Sequence, residues 1–216
     1  MEASSETLRG RYLALERLAG RHAPALAAAL RDVDIDELAR YVVEPPARDP
    51  AVFAAMIAER ATSVSRRYYA CVPQGADGAC GYLALIRDEP AHRSIEIGDV
   101  FYAPSLQHTS AGTEAVYLLA RYAFETMGYR RLEWKCDDLN APSRQAALRY
   151  GFTFEGVFRQ HMLVRGNNRD TAWFSMLDRE WPERRAAFQA WLDPANFDAS
   201  GRQRVALSAL NGIGSI

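Results

Sequence analysis

The apolar positions of this 216-residue chain follow two periods, and the places where one gives way to the other mark its elements. Residues 94–103 read Ser-Ile-Glu-Ile-Gly-Asp-Val-Phe-Tyr-Ala, an alternating run rich in β-branched and aromatic residues that predicts a strand. Pro104 has no amide hydrogen to give to a ladder, so pairing should stop there. Small and polar residues fill 107–113. Over 114–127 the period turns helical, with Ala115, Leu118, Leu119 and Tyr122 at i, i+3, i+4 and i+7. Val116, Ala120, Ala123 and Phe124 widen the stripe until only Glu114, Arg121 and Glu125 interrupt it, which predicts a largely buried helix.

The remaining elements follow from the same reading. A strand is predicted over 11–18, then an alanine-rich helix over 22–30 with Pro24 in its first turn, and a short helix over 34–43 ended by Pro45-Pro46. Asp49 is the candidate N-cap of a helix that runs through Phe53, Met56 and Ile57 to residue 62. Strands over 66–72 and 79–86 make a hairpin around Pro73-Gln-Gly-Ala-Asp-Gly. Leu132, Trp134 and Cys136 share one face of a strand over 131–137. A helix then starts at Asn140 or Ala141 and ends at Tyr150, with Gly151 at the left-handed position beyond it. Strands over 152–164 and 170–177 close as a hairpin about the polar loop 165–169, and Trp181, Phe188 and Trp191 anchor a helix over 179–191. Residues 8–192 read as one domain, with 1–7 and 193–216 as flexible tails.

A strand, a turn of small residues and a buried helix gather unpaired N–H groups at one helix N-terminus, which suits phosphate. The turn resembles the pyrophosphate loop of the GNAT superfamily of acyl-CoA N-acyltransferases, Arg/Gln-x-x-Gly-x-Gly/Ala. Gln107 and Gly112 match that pattern, and Ser110 stands in place of its first glycine. Further along come Thr-Glu-Ala, Arg-Tyr-Ala-Phe-Glu, Gly-Tyr-Arg-Arg-Leu-Glu, Asp137-x-x-Asn-x-x-Ser143, Tyr-Gly-Phe-x-x-Glu-Gly and Glu180-Trp181. That succession resembles the RimJ/RimL-like branch, whose founding members acetylate the N-termini of ribosomal proteins. The likeness runs over residues 8–191.

The resemblance implies a single GNAT-like α/β (α+β) domain. Its mixed, mostly antiparallel central sheet would be splayed at the middle, with helices on both faces. It also implies transfer of an acetyl or related acyl group from acyl-CoA to a primary amine, a peptide N-terminus or a small molecule, directly within a ternary complex. Backbone groups at Asp99, Val100 and Phe101 would pair with the pantetheine arm. Gln107, His108, Thr109, Ser110, Ala111, Gly112 and Thr113 would hold the pyrophosphate. By the same likeness the Asn140 amide would bond the pantetheine arm, and the Ser143 hydroxyl would protonate the leaving thiolate. Either side chain could equally cap the helix that follows. Three candidates compete for the base: Glu96, Asp99 and His161. The first two lie three apart on one strand and so should point to opposite faces, while an imidazole titrates near pH 6.5, which suits proton uptake. The helices after the first strand would cover the acceptor. Two rival readings stand beside this one: a transferase using a carrier-protein or other non-CoA donor, and a non-catalytic acyl-CoA-binding module.

Composition narrows the partners. The 26 basic and 27 acidic residues nearly cancel, so neither nucleic acid nor an anionic membrane is an expected partner. An apolar share of 49% suits one globular core. Cys71, Cys80 and Cys136 are odd in number and fit no zinc spacing, so no metal is expected. Cys136 is a poor candidate nucleophile, because Asp137 beside it would raise a thiol pKa, and a buried structural role is the better reading. Arg144, Arg149, Arg159, Arg165 and Arg169 are expected mostly in solvent, one or two meeting a CoA ribose phosphate. No signal-peptide core or membrane-length run occurs, which gives a cytoplasmic expectation with a homodimer left open.

Overall fold

A computed structural model describes residues 7–212. The chain has the α/β fold read from its sequence, and the described residues form eight strands in a mixed, mostly antiparallel sheet of order β1-β2-β3-β4-β5-β6-β8-β7 and seven α-helices. It divides into two compact units, one taking the chain through Asp88 together with Ile97–Leu119, the other Glu89–Glu96 together with everything from Ala120. Among the described residues no helix is long and apolar enough to cross a membrane.

The first unit holds β1 (Leu8–Arg9), β2 (Leu13–Arg17), α1 (Ala23–Ala29), α2 (Ile35–Leu38), α3 (Pro50–Thr62), β3 (Arg67–Pro73), β4 (Gly81–Glu89) up to Asp88, the latter part of β5 (Ser94–Tyr102) and most of α4 (Ser110–Arg121). β2 pairs antiparallel with β3 and β3 with β4, setting Leu15 opposite Cys71 and Tyr68 opposite Ala84. Leu18, Leu26, Phe53, Ile57, Tyr68, Tyr82 and Phe101 form its core. Asp49 caps α3 as expected, its carboxylate accepting the N–H groups of Ala51 and Val52. The helix predicted over 34–43 is shorter. It amounts to one capped turn, with only Ile35 buried within it and Ala39 just beyond. So small an apolar face does not sustain further turns.

The second unit contains β6 (Arg131–Asp137), α5 (Ala141–Arg149), β7 (Thr153–Val164), β8 (Asn167–Leu177), α6 (Trp181–Leu192) and α7 (Leu207–Leu210). The helix predicted to continue to residue 127 instead widens into a π-helical turn at Tyr122–Thr126. Gly151 takes the left-handed conformation expected of it, with φ of 91°. The β7–β8 turn is tighter than the predicted loop. Arg165 and Gly166 both have positive φ, so two residues suffice and β8 begins at Asn167. β7 carries two register shifts against β8, one between Phe154 and Gly156 and one between Phe158 and Met162.

Residues 193–212, predicted as part of a tail, carry regular structure. A 3-10 turn at Pro194–Asn196, a bridge between Phe197 and Gln203, and α7 follow in order. Leu207 is fully buried, Phe197 meets the Trp191 ring edge-on, and the Asn211 amide donates to the Arg149 carbonyl at 2.9 Å. The tail expectations for 1–6 and 213–216 fall outside the described residues.

Candidate functional site

In the first unit, the chain leaving β5 is folded back by N–H groups of Leu106 and Gln107 donating to the Ala103 carbonyl at 2.9 and 3.2 Å. The Gln107 side chain donates to the Tyr102 carbonyl at 3.1 Å. Thr109 then caps α4: its hydroxyl donates to the Leu106 carbonyl at 2.7 Å and accepts the Gly112 N–H at 3.0 Å. This cap starts the helix at Ser110, four residues before the apolar stripe that predicted it. Thr113 N–H reaches the Thr109 carbonyl at 3.2 Å, while the amides of Ser110 and Ala111 have no acceptor among the described residues. Two uncommitted N–H groups at the positive end of a helix dipole can hold an anion.

The glycine pattern of this turn has a local explanation. The left-handed residue is His108, with φ of 59°, and Ser110 is already helical, so serine there strains nothing. Gly112 is different. A Cβ on it would lie 2.6 Å from the Leu106 carbonyl oxygen, so the close approach of two backbone segments excludes any side chain. One turn on, Glu114 is only 4% exposed. Its carboxylate accepts the N–H groups of Arg11, Tyr12 and Leu13 at 2.7, 2.6 and 3.0 Å, which fixes the β1–β2 turn to α4. A Cβ on Gly10 would collide with that carboxylate. In the sequence, Glu114 reads only as a polar interruption of an apolar stripe.

Asp99 sits in β5 with φ of 48°, a conformation that non-glycine residues rarely take inside a strand. Its Oδ2 accepts from Arg66 Nη1 at 2.9 Å and from the Tyr68 hydroxyl at 2.6 Å. Tyr68 is 2% exposed and packs edge-on against Tyr82, which stacks on Phe101. The Arg60 guanidinium lies over both tyrosine rings and donates to the Tyr82 hydroxyl at 2.8 Å. Burial, and then the bond to Asp99, push the Tyr68 phenol above its ordinary pKa, so it stays a neutral donor. Sequence reading missed Arg60, Arg66, Tyr68 and Tyr82 because none belongs to a spacing pattern. Phe101 points into the core and Val100 is half-buried, so the backbone is what Phe101 can offer a ligand.

In the second unit, Asn140 is the cap of α5, its Oδ1 accepting the Ser143 N–H at 3.1 Å. That leaves the Ser143 hydroxyl free of capping. It accepts the Trp134 indole N–H at 3.0 Å and donates toward the Cys136 thiol. Burial raises the Cys136 pKa despite that bond, so this cysteine is a thiol at neutral pH and the structural reading of it stands on this cause. His161 is placed by the second shift in β7. Phe158 faces Thr171 and Met162 faces Arg169, so the intervening residues bulge out opposite Asp170, whose carboxylate accepts the Gln160 N–H at 2.7 Å. The His161 ring is thereby brought against Phe158 and Trp173, with Nδ1 3.0 Å from the Thr171 hydroxyl. Glu96 is buried and lies 3.0 Å from Lys135, whose ammonium sits over the Trp173 ring. Arg149, expected in solvent, is instead half-buried over the Trp191 ring, and burial lowers its pKa. Arg144 pairs with Asp138.

Residues 13–153 match the family model described as an acetyltransferase (GNAT) domain, and the chain belongs to the GNAT acetyltransferase family. A solved GCN5-related N-acetyltransferase from Brucella melitensis is 40% identical, with a TM-score of 0.94 covering 98% of this chain and 96% of that one. A GNAT-family structure from Chromobacterium violaceum is 39% identical, with a TM-score of 0.77 over 84% of this chain and 91% of that chain. YdaF of Bacillus subtilis, provisionally described as a ribosomal N-acetyltransferase, is 33% identical over 106 residues, 49% of this chain and 57% of YdaF. The match thus spans little more than half the length of that curated relative. The RimJ/RimL-like assignment agrees with it.

Proposed function

We propose that this chain transfers an acetyl group from acetyl-CoA to a primary amine, directly and within a ternary complex. The observation that carries the reading is the family match over 13–153 joined to the uncommitted Ser110 and Ala111 amides at the start of α4. Those amides, with the loop from Gln107 to Thr113, would hold the pyrophosphate. The backbone at Val100 and Phe101 would hold the pantetheine arm. The departure at Ser110 gives no reason to prefer a carrier-protein donor, since that residue is helical and unstrained.

The acceptor ammonium first gives a proton to a base, and the amine nitrogen then attacks the thioester carbonyl carbon. As the new C–N bond is completed the C–S bond breaks. The nitrogen sheds a second proton to solvent, and the departing thiolate takes one. Ser143 is the proposed donor of that proton: its oxygen accepts the Trp134 indole N–H, and its hydrogen, directed at rest toward the Cys136 thiol, would turn to the departing thiolate, with solvent restoring it. His161 is the proposed base, because Glu96 faces Lys135 and Asp99 faces Arg66. In the tautomer whose Nδ1–H donates to the Thr171 hydroxyl, 3.0 Å away, Nε2 is the basic nitrogen. The description of YdaF as a ribosomal N-acetyltransferase makes ribosomal components with primary amines the first acceptors to assay.

Acetyl-CoA should raise the melting temperature, since a ligand at about a hundred times its Kd contributes about 2.7 kcal/mol. Ser143→Ala should lower kcat about a hundredfold with donor Kd preserved, and His161→Gln should remove the acidic limb of the pH–rate profile. An unmoved melting curve at millimolar acetyl-CoA would end the donor assignment. Wild-type kcat in both variants would end the assignment of acid and base.

A further inference from the structure

The strain at Asp99 points to a role for two residues that no motif singles out. We infer that Arg66 and Tyr68 form a latch which, through the Asp99 carboxylate, holds β5 in a kinked conformation at the point where its backbone receives the acyl donor. This rests on the donor-binding reading of Val100 and Phe101 given above. Asp99 then serves as the latch's catch, and proton transfer lies elsewhere.

The left-handed region disfavours a non-glycine residue by a factor of about 5 to 30, less for aspartate than for most. A hold on the Asp99 side chain from outside the ladder offsets that cost. Arg66 and Tyr68 supply that hold, both reaching Oδ2, at 2.9 and 2.6 Å. Tyr68 cannot retreat, because its ring is 2% exposed, wedged against Tyr82 and covered by the Arg60 guanidinium. Its phenol is held neutral by burial and by Asp99, so it donates across the working pH range. The second donor, Arg66, also bonds the Tyr68 hydroxyl at 3.3 Å, which closes a three-membered ring of contacts. A general base needs a carboxylate free to gain a proton. Arg66 and Tyr68 instead both already donate to Oδ2, which ties this carboxylate to β3 and the residue before it.

The kink also alters what the strand presents. Alternation along a strand assumes extended backbone throughout, and one left-handed residue breaks it. Peptide groups beside the break are turned away from the regular ladder direction. The two residues following Asp99 are the ones whose backbone the donor would meet. Losing the latch should therefore cost donor affinity first, by lowering the fraction of molecules in the competent conformation.

Glycine at position 99 would hold the left-handed conformation without a latch, and this makes the test specific. Tyr68→Phe and Arg66→Met should each weaken acetyl-CoA binding about fivefold or more, measured by calorimetry. Adding Asp99→Gly to either should restore most of that affinity. A residue that merely braces the fold would not be rescued by removing the very group it touches. Hydrogen exchange of residues 98–102 in ligand-free protein should quicken in Tyr68→Phe and slow again in the double variant. If the parent protein fails to bind acetyl-CoA, the donor reading fails, while the exchange comparison still decides the latch. Unchanged exchange in Tyr68→Phe overturns the inference. So does an Asp99→Gly variant that keeps its donor Kd and loses kcat about a hundredfold, because that result would make Asp99 the base.

Discussion

Replacing Glu114 by glutamine tests how α4 is fastened to the N-terminal strands. The carboxylate accepts three backbone N–H groups, two on Oε2 and one on Oε1. A glutamine in its best orientation keeps an oxygen for Tyr12 and Leu13 and turns its NH2 group toward the Arg11 amide, donor against donor. An orphaned donor costs about 1–3 kcal/mol, and exchanging a charged acceptor for a neutral one weakens each remaining bond by about 1 kcal/mol. Water can relieve the Arg11 amide, which lies at the surface, so the net loss should be about 2–4 kcal/mol. Stabilities of ordinary domains run to about 5–15 kcal/mol, so this is a large share. At this chain length it corresponds to a melting temperature lower by about 5–12 °C, read by calorimetry or circular dichroism. A Glu114→Gln protein that melts within about 2 °C of the parent would show that the three bonds contribute little beyond what water supplies.

Gly112→Ala should lower the melting temperature and weaken acetyl-CoA binding together, since its Cβ would press on the Leu106 carbonyl and overpacking costs about 1–3 kcal/mol; parental values of both would refute the steric argument. Cys136→Ala should leave kcat within about threefold of the parent, because a thiol whose pKa is raised by burial supplies little nucleophile, and a trapped acyl-cysteine in mass spectra would contradict this. Glu155 is held below its ordinary pKa of 4.5 chiefly by the paired Arg131, so it stabilises the fold above about pH 4.5, and that contribution fades as the pH falls through its native value. The acid-induced fall in melting temperature should accordingly be shallower in Glu155→Gln, and an identical slope would count against the pairing.

The parts of this fold that repetition encodes could be read from the chain. Strand β6, with Leu132, Trp134 and Cys136 on one face, lies at its predicted bounds, and Asp49 caps α3 where an acidic residue before proline said it would. What depends on a single distant partner left no trace. Glu114 is a polar break in an apolar stripe until residues 11–13 are folded against it. The kink at Asp99 depends on Arg66 and Tyr68, more than thirty positions away in sequence, and the periodic argument that set Glu96 and Asp99 on opposite faces assumed an unkinked strand. The early start of α4 was within reach, because Thr109 is a good cap, but the small residues after it read as loop. His161 was reachable as a residue type. The bulge that aims it was not, since Gln160 gives no sign of its positive φ.

The two displaced registers of β7 also bear on how this protein behaves in a crowded solution. β7 is the last strand of the sheet order, twelve residues long, and Phe154, Phe158, Met162 and Leu163 stand exposed along it. A straight strand of that length and oiliness would be a template for the next copy, one ladder growing on another. Each bulge interrupts the row of outward amides and carbonyls, and a carboxylate lies at each, Glu155 beside the first and Asp170 opposite the second. No run of the free edge stays regular for more than a few residues. The irregularity that seats a histidine thus also denies a second copy a long regular edge to pair with.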